Sequence, residues 1–506
     1  MKKTIIKILG ITVLIITIIV LIYFKFFYNT EEIPQIIQVA NQEEIIPILN
    51  LGIAEFDTIN PIKSQNKYVQ QISKLIYEPL FEIDSEFKLT KKLATEITKL
   101  NDLTYILKFK ENTYFHNGDI LSPQDILYTI DQIKENKDSI YYPNIANIQN
   151  IKIIDETTIR INLYESDSFF EYNLIFPILN KEEAGTGMYE ITKLNAPIEL
   201  NYNTKYWNSE LPNITQIKIN IYKEVTDLYQ GFKDGEIDVL YTSNTNYENF
   251  LGTIGYEKKE YMGRVFSYLV LNLESKLLKE QELRKAICHT INKTEIVSKI
   301  YKNHVIADFP LEYVSWLYKK QSWYTYDLDK AINLLEKNGW EYQDNVWQKK
   351  KNELELNFLV DSLDKEANDV AYLVKQQLQK IGIQVNIEKV STKLYKYYLK
   401  TKNYDIILKK QIVGIAPNLD TFLGEENTSN YKRTEITETL EKIKTTNEDS
   451  QILYEQIEKY YLEDIPFISI AFNKEIMLYN TKIHGNVIPN WYQIFNHIEK
   501  WKILNI

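Results

Sequence analysis

Residues 104–130 limit the local structure of the chain more closely than any other stretch of its sequence. Every second position at its start is apolar or aromatic: Tyr105, Leu107 and Phe109. This period is typical of a half-buried strand. The run Asn117-Gly118-Asp119 then predicts a turn, because glycine accepts a positive φ and its neighbours tolerate one. Ser122 and Pro123 mark the start of a helix with one apolar face. The stretch therefore predicts a strand, a turn and a capped helix, and by itself it indicates no function.

The length of 506 residues allows two or three packed lobes rather than one core. The hydrophobic content of 44% and the charged content of 25% are typical of a globular protein. The 38 tyrosines are unusual, and codon bias in an AT-rich genome explains them, although a tyrosine-lined ligand cleft is compatible with that explanation. Because Cys288 is the single cysteine, no intrachain disulfide forms, and stability has to come from the core.

The N-terminus contains an uncharged apolar run, residues 8–24, which three lysines precede. Its length reaches the lower limit for a membrane-spanning helix, and the basic flank predicts a cytoplasmic N-terminus. No small-residue cleavage site follows at once. We therefore predict an uncleaved membrane anchor or signal at residues 1–28, a tether at 29–44, and a domain on the outer face of the cytoplasmic membrane. The alternative is a secreted or periplasmic protein after signal cleavage.

The charge balance and the motif content argue against several classes of function. Removing residues 1–28 removes four lysines, so 55 basic and 69 acidic side chains remain, a net charge of about −14. Such a surface predicts no nucleic-acid partner. The five histidines form neither an HExxH motif nor a pairing with CxxC, and G-x-S-x-G and Walker motifs are missing from the sequence. We therefore predict no catalytic residues, no metal site and no cofactor.

The stretch at residues 104–130 resembles a signature of the bacterial extracellular solute-binding proteins of family 5. These are the oligopeptide-, dipeptide- and nickel-binding receptors of ABC importers. The matching positions are Phe109, Lys110, Tyr114, Phe115, His116, Gly118, Ser122, Asp125, Ile126 and Tyr128. The family's usual glycine before the aromatic pair is replaced around Asn112-Thr113.

Further motifs that resemble the family follow in the family's order. They are Ile59-Asn60-Pro61, Tyr77-Glu78-Pro79-Leu80, residues 151–163, Gly185 to Tyr189, residues 228–240, Tyr268 to Asn272, residues 282–296, residues 326–340, residues 374–387 and residues 454–470. The resemblance thus covers about residues 46–500.

The resemblance implies an α/β fold of the two-lobed periplasmic-binding-protein-like type II, with a third smaller domain and a preceding N-terminal transmembrane helix. Lobe I is expected to combine residues 45–83, 184–267 and 472–506. Small domain II is expected at residues 84–183, and lobe III at residues 268–471.

The resemblance also implies a function in import. We expect an extracellular substrate-binding protein of an ABC importer that binds peptides or a related small solute between two hinged lobes. Its expected partners are the solute, ABC permease subunits and the membrane, and the protein is expected to be a monomer. The alternatives are a surface receptor for signalling or a hydrolase on the same scaffold, although the sequence offers no nucleophile with an evident base.

Two segments are implied as ligand-binding edges. The first contains Lys63, Ser64, Gln65, Asn66 and Lys67, and the second contains Gln411, Ile412, Val413, Gly414 and Ile415. Peptide-binding members usually place an aspartate in the second segment, where it pairs with the ligand's α-amino group. No acid occurs from Ile406 to Leu419, and Asp420 matches only a later family position. A buried ammonium needs a partner. Peptides with a blocked N-terminus, cyclic peptides and non-peptide solutes are therefore kept as alternative ligands.

Overall fold

The computed structural model describes residues 15–20, 22–23, 45–244, 246–252, 254–311, 317, 324–350, 352–445 and 450–505. The chain divides into two compact units, residues 1–46 with 504–506, and residues 47–503. In the first unit, residues 15–20 and 22–23 are helical and Ile45–Ile46 is a short strand. Within the described ranges, no helix is long and apolar enough to cross a membrane. Most of the predicted anchor at residues 1–28 and the whole predicted tether at residues 29–44 lie outside the described residues, so both stay predictions.

An eleven-stranded sheet forms the centre of the second unit. In order across the sheet, its strands are Gln384–Val390, Glu355–Asp361, Ile406–Ile412, Glu257–Leu271, Phe467–Tyr479, Val239–Thr242, Ile48–Ala54, Gln216–Tyr222, Ile198–Tyr202 and Tyr189–Lys193, with His304–Ile306 beside Phe467–Tyr479. The two longest strands, Glu257–Leu271 and Phe467–Tyr479, pair antiparallel at its middle. Parallel pairs flank them on both sides, Ile48–Ala54 with Gln216–Tyr222 and Glu355–Asp361 with Gln384–Val390.

Side chains of the long strand Glu257–Leu271 alternate between two hydrophobic cores. Phe266, Tyr268 and Val270 belong to one core, whereas Leu269 and Leu271 belong to the other. Successive strand residues point to opposite faces of a sheet, so each face has its own core here. The division into lobes and a third domain stays a prediction.

A separate four-stranded antiparallel sheet contains the stretch on which the sequence is most explicit. Its strands, in order, are Ala94–Asn101, Thr104–Phe109, Thr158–Leu163 and Ile148–Ile153. The predicted capped helix is confirmed as Pro123–Glu135, and the Ser122 backbone N–H donates to the Asp125 carboxylate over 2.9 Å. Gly118 has the positive φ of 93° that the predicted turn requires.

The remaining helices and strands lie outside the two sheets described above. The longer helices are Lys67–Ile76, Pro123–Glu135, Val225–Lys233, Gln281–Thr290, Leu328–Lys337, Lys365–Gln379, Thr392–Thr401, Thr434–Thr445 and Ser450–Asp464. The short ones are Tyr142–Ile145, Phe170–Leu174, Glu248–Leu251, Lys293–Ile296, Val297–Tyr301, Asp420–Leu423 and Ile498–Lys500. The smaller strands are Phe81–Ile83, Leu89–Lys91, Glu341–Gln343, Val346–Lys349, Asn352–Glu353, Ile483–His484 and Lys502–Leu504. Cys288 is buried, and burial raises the pKa of its thiol to about 12.

Candidate functional site

A cavity of about 270 Å³ lies on one face of the central sheet. We call it the central cavity, and its lining includes Lys67, Gln71, Tyr241, Tyr261, Gly263, Arg264, Ile412, Asn473, Glu475, Trp491 and Ile494. Its floor is made by the sheet, where Tyr261 lies directly opposite Glu475 and Tyr241 directly opposite Met477. Residues opposite each other or two apart along a strand share a face. The strand register therefore brings Tyr241, Tyr261 and Glu475 to the same side.

The first wall of the central cavity is the N-terminal end of the helix Lys67–Ile76. Lys67 and Gln71 are four residues apart and so share one face of this helix. The Gln71 side-chain amide donates to the Trp491 carbonyl over 3.1 Å and accepts from the Ile494 backbone N–H over 3.1 Å. This pair of hydrogen bonds fixes the segment that contains Trp491 and Ile494 against the helix.

Arg264 forms the second wall together with Ile412. The Arg264 Nε donates to the Val413 carbonyl over 2.9 Å, and the Val413 backbone N–H donates back to the Arg264 carbonyl over 2.9 Å. The central guanidinium carbon lies 4.6 Å from the centre of the Trp491 ring, a distance typical of a cation–π contact. Arg264 therefore contacts both the chain after the strand Ile406–Ile412 and the C-terminal segment.

The glycine beside Arg264 is required by close packing in the floor. A Cβ added at Gly263 would clash with the side chain of Asn473. That side chain accepts a hydrogen bond from the Val265 backbone N–H over 2.8 Å, and it donates to the Glu475 carboxylate over 3.3 Å. A larger residue at position 263 would displace Asn473 and disturb the position of Glu475.

The charges of the central cavity are two cations and one carboxylate, namely Lys67, Arg264 and Glu475. Burial raises the pKa of the Glu475 carboxyl, while the charge of Lys67 and the hydrogen bond from Asn473 act in the opposite direction. With Glu475 ionised, these three side chains still give the cavity a net positive charge.

Two buried polar atoms in the lining find no hydrogen-bond partner among the residues that the structure describes. They are the Tyr241 hydroxyl and the Trp491 indole N–H. An unsatisfied buried polar group costs about 1–3 kcal/mol, so native proteins rarely keep one without a reason. Both residues line the cavity, but the two atoms themselves are closed off from it in this structure.

The first predicted binding edge contributes one residue to the central cavity, Lys67. Asn66 caps the helix Lys67–Ile76 and accepts from the Tyr68 N–H over 2.8 Å, and Ser64 is buried and donates to Asp57 over 2.5 Å. Lys63 pairs with Glu183 at 2.5 Å, and the Gln65 side chain donates to the Asp138 carbonyl over 2.6 Å. Lys63, Gln65 and Asn66 line a separate, wide depression with Glu55, Phe56 and Asp57.

The second predicted edge also reaches the central cavity through one side chain, Ile412, which is 65% exposed. Gln411 lines a neighbouring cavity of about 470 Å³, and its side-chain oxygen accepts from the Tyr268 hydroxyl over 3.2 Å. Val413 is buried, and Gly414 and Ile415 follow it in a loop. This edge therefore supplies Ile412 and, through the Val413 carbonyl, the support of Arg264.

Asp420 lies outside the central cavity, at the start of the short helix Asp420–Leu423. Its carboxylate is 3.1 Å from the Lys444 ammonium group, and it lines both the cavity of Gln411 and one of about 490 Å³ that Asp167 also lines. The ion pair with Lys444 already neutralises this carboxylate.

Four functional candidates were missed by the sequence reasoning, and they come from distant parts of the chain: Tyr241, Arg264, Glu475 and Trp491. One signal was available for Arg264, because it is one of four arginines in a chain with 55 lysines and it directly follows a glycine. Two of the many tyrosines do line the cavity. Within the described residues, no group of three or more His, Cys, Asp or Glu side chains is placed to hold a metal ion.

Comparison with known proteins matches the chain to one family and to several solved structures. The family model for bacterial extracellular solute-binding proteins, family 5 (middle part), matches residues 88–432. The oligopeptide-binding protein AppA of Bacillus subtilis is 21% identical over 495 residues, which cover 89% of this chain and 90% of the relative.

Two solved structures with similar folds bind different kinds of solute, according to their names. The murein tripeptide-binding protein MppA, in an unliganded open form, has a TM-score of 0.80 and 17% identity, covering 91% of this chain and 98% of its own. A nickel ABC transporter protein of Bacillus halodurans has a TM-score of 0.79 and 18% identity, covering 90% of this chain and all of its own. At these identities, the likeness shows a shared fold.

Proposed function

Because the chain belongs to the bacterial extracellular solute-binding proteins of family 5, we propose that it binds a peptide or a related small solute outside the cell. It then delivers this solute to the permease of an ABC importer. The names of AppA and MppA support a peptide ligand, since both proteins bind peptides. The proposal includes no catalytic step.

The central cavity is the observation on which this proposal depends. Lys67 and Ile412 come from the two segments that the family resemblance implies as binding edges, and both line this one cavity. Aromatic walls and a few converging polar groups are typical of small-molecule sites. Here Tyr241, Tyr261 and Trp491 supply the aromatic surface, so the lining combines apolar contact with charged groups.

Binding is proposed to use a hinge between two lobes. The long strands Glu257–Leu271 and Phe467–Tyr479 each connect a segment expected in lobe I with one expected in lobe III. Arg264 lies on the first of these strands, where the expected lobes meet. A solute that contacts Lys67 on one side and Ile412 on the other would favour the closed arrangement, because it would bind that arrangement more tightly.

We also propose that residues 1–28 hold the protein on the outer face of the cytoplasmic membrane and that residues 29–44 act as the tether. The apolar run at residues 8–24 and the three preceding lysines support this proposal. A single anchored chain is proposed to dock on the permease as a monomer. Mass measurement of the mature N-terminus in its native membrane separates this arrangement from signal cleavage, because cleavage would remove the apolar run.

Native mass spectrometry of the full chain, purified in mild detergent without denaturation, tests the proposed function. We expect a set of co-purified masses that fragment as peptides. Gly263→Ala should reduce their occupancy, since the added Cβ would clash with Asn473 in the cavity floor. Gly255→Ala is the matched control, because its Cβ would lie 3.9 Å from Thr481, an ordinary contact.

Two outcomes would contradict the proposal of a peptide receptor. One is a single co-purified non-peptide mass, which would assign the protein to another ligand class of the family. The other is an empty protein that also shows no thermal shift with peptides, whether their N-termini are free or blocked.

A further inference from the structure

The helix Thr392–Thr401 has one packed face and one exposed face. The packed face lies against the core on one side of the central sheet, through the partly buried side chains of Tyr395, Tyr398 and Leu399. Positions three, four and seven apart in a helix share a face, so the other face collects exposed residues. We call it the lysine face, and it consists of Lys393, Leu394, Lys396, Tyr397 and Lys400.

The positive charge of the lysine face is not balanced within its own segment. Residues 389–404 contain five lysines and no aspartate or glutamate, whereas residues 29–506 as a whole contain 55 basic and 69 acidic side chains. Among the residues that the structure describes, no carboxylate pairs with a lysine of this face. Exposed lysines elsewhere do have such a partner, as Lys432 has Glu274 at 3.6 Å.

Acids on neighbouring elements approach other groups. Glu388 precedes the helix in the sequence, and its carboxylate accepts from the Asn357 side-chain amide over 2.6 Å. Asp361 and Asp364 approach the packed face, since their charges act on the hydroxyl of Tyr395. The lysine face therefore presents a cluster of uncompensated positive charge to the solvent.

The composition of the lysine face favours a lipid surface over a protein partner. Lysine is depleted in protein–protein interfaces, where arginine and large apolar side chains predominate. Leu394 is 38% exposed and Tyr397 is 59% exposed, and two such side chains cover far less than the roughly 800 Å² that each partner of a stable interface buries. Lysines around a tyrosine and a leucine are instead typical of helices that lie on a bilayer.

We propose that the lysine face contacts the anionic phospholipid head groups of the membrane. This inference rests on the part of the proposed function that places the chain on the outer face of the cytoplasmic membrane, where lipid is always near a tethered domain. Attraction between the three lysines and the anionic surface counteracts the repulsion of the acidic remainder of the protein. The contact thereby orients the domain relative to the bilayer.

The test measures the acetylation rates of individual lysines in the full chain by mass spectrometry. The chain is reconstituted with an excess of vesicles made of phosphatidylcholine alone, or of phosphatidylcholine and phosphatidylglycerol in equal parts. We expect Lys393, Lys396 and Lys400 to react at least about threefold more slowly with the anionic vesicles. In about 1 M salt the difference should disappear, because the Debye length falls to about 3 Å.

Three exposed lysines outside this helix serve as controls, and each pairs with a glutamate: Lys108, Lys299 and Lys432. Their rates should be the same with both kinds of vesicle. The triple variant Lys393→Gln, Lys396→Gln, Lys400→Gln should lose the preference for anionic vesicles in co-sedimentation at limiting lipid. The matched variant, in which the three control lysines are changed to glutamine, loses the same charge and should keep the preference. Thermal unfolding establishes that both variants are folded.

Three results would overturn the inference. Equal reactivity of the lysine face with both kinds of vesicle excludes the lipid contact. Equal slowing of the control lysines shows adsorption of the whole protein rather than docking through this helix. Slower reaction of the lysine face without vesicles, at a concentration where native mass spectrometry detects a dimer, assigns the face to a second copy of the chain.

The proposed function is judged by separate readouts of the same protein. A chain that does not sediment with phosphatidylcholine vesicles would contradict the membrane anchor, and the acetylation rates with anionic vesicles would still decide on the lysine face. An absence of peptide binding would contradict the peptide receptor and leave the lipid contact unaffected.

Discussion

Two clusters in this protein contain the same kinds of residue, and they differ in whether their polar groups are satisfied. One surrounds the buried Glu78, and we call it the Glu78 cluster: Glu78, Lys92, Thr186, Tyr206 and Trp207. The other is the central cavity. Each has a glutamate, a lysine, tyrosine and tryptophan. The comparison indicates that the pairing of these groups, rather than their identity, separates a structural cluster from the cavity that we propose as a binding site.

Every side-chain polar group named in the Glu78 cluster contacts the glutamate. The hydroxyl of Tyr206 donates over 2.7 Å, the indole of Trp207 over 2.9 Å and the hydroxyl of Thr186 over 3.0 Å, and the Lys92 ammonium lies 3.7 Å away. Burial raises the pKa of Glu78, and these four partners act in the opposite direction. In the central cavity, by contrast, the Tyr241 hydroxyl and the Trp491 indole have no such acceptor among the described residues.

The largest expected effect is the loss of the shared acceptor in the Glu78 cluster. Glu78 is 3% exposed, and Glu78→Ala would leave three buried donors without their acceptor and the Lys92 ammonium with Glu82 alone, 3.4 Å away. Removing one member of a buried charge pair costs about 3–5 kcal/mol. We expect a decrease of that size in the free energy of unfolding, measured in urea. A decrease below about 1 kcal/mol would show that water replaces the carboxylate.

A pair of matched tyrosine substitutions measures the difference between the two clusters directly. Tyr206→Phe removes a hydrogen bond to a charged group, which is worth about 1.5–3 kcal/mol, so stability should decrease by that amount. Tyr241→Phe removes a hydroxyl without a described partner, so stability should change by less than about 0.5 kcal/mol, while ligand affinity should decrease. Equal losses of stability in both variants would contradict the comparison.

A smaller effect concerns the pH dependence contributed by Lys74, which lies between the two clusters. Its ammonium group is 3.1 Å from the centre of the Tyr492 ring, and burial lowers its pKa to about 7 from 10.5. Below pH 10.5, the unfolded chain binds a proton at Lys74 that the folded chain does not bind until about pH 7. This group therefore makes stability fall as the pH falls across that window, and it adds no change below it.

The variant Lys74→Met removes this contribution. Relative to the wild-type chain, we expect the variant to gain more stability at pH 7 than at pH 9.5, by about 1 kcal/mol or more. Urea unfolding of both proteins at the two pH values measures the difference, and titrations of other groups cancel in the comparison. No difference between the two pH values would mean that Lys74 stays charged in the folded protein.

Much of the local structure follows from the sequence, whereas the site does not. Ser122 and Asp125 predict their helix because capping depends on residues three positions apart. Gly382 likewise ends the helix Lys365–Gln379 with a φ of 86°. The central cavity instead depends on long-range pairing, such as the hydrogen bond between Gln71 and Trp491, which are 420 positions apart.

The two segments that the family resemblance implies contain only two of the residues that line the central cavity, and the reason is physical. It implied whole segments, but a strand or a helix start presents only some of its side chains to one side. In the first segment, Asn66 is used for the helix cap and Ser64 for a local hydrogen bond, so Lys67 alone lines the central cavity. Arg264 and Trp491 are distant in sequence and come together only through the register of the central sheet and the position of the C-terminal segment. The sequence alone therefore does not identify them as lining residues.

Hydrogen–deuterium exchange of the full chain, with and without a saturating peptide, tests whether the solute binds in the central cavity. We expect slower exchange at residues 67–71, 261–265, 411–413 and 491–494 when the peptide is bound, because these segments surround the central cavity. The segment at residues 418–420, which borders a cavity of about 490 Å³, should change less. Protection confined to that second cavity, with none around Arg264, would contradict binding in the central cavity.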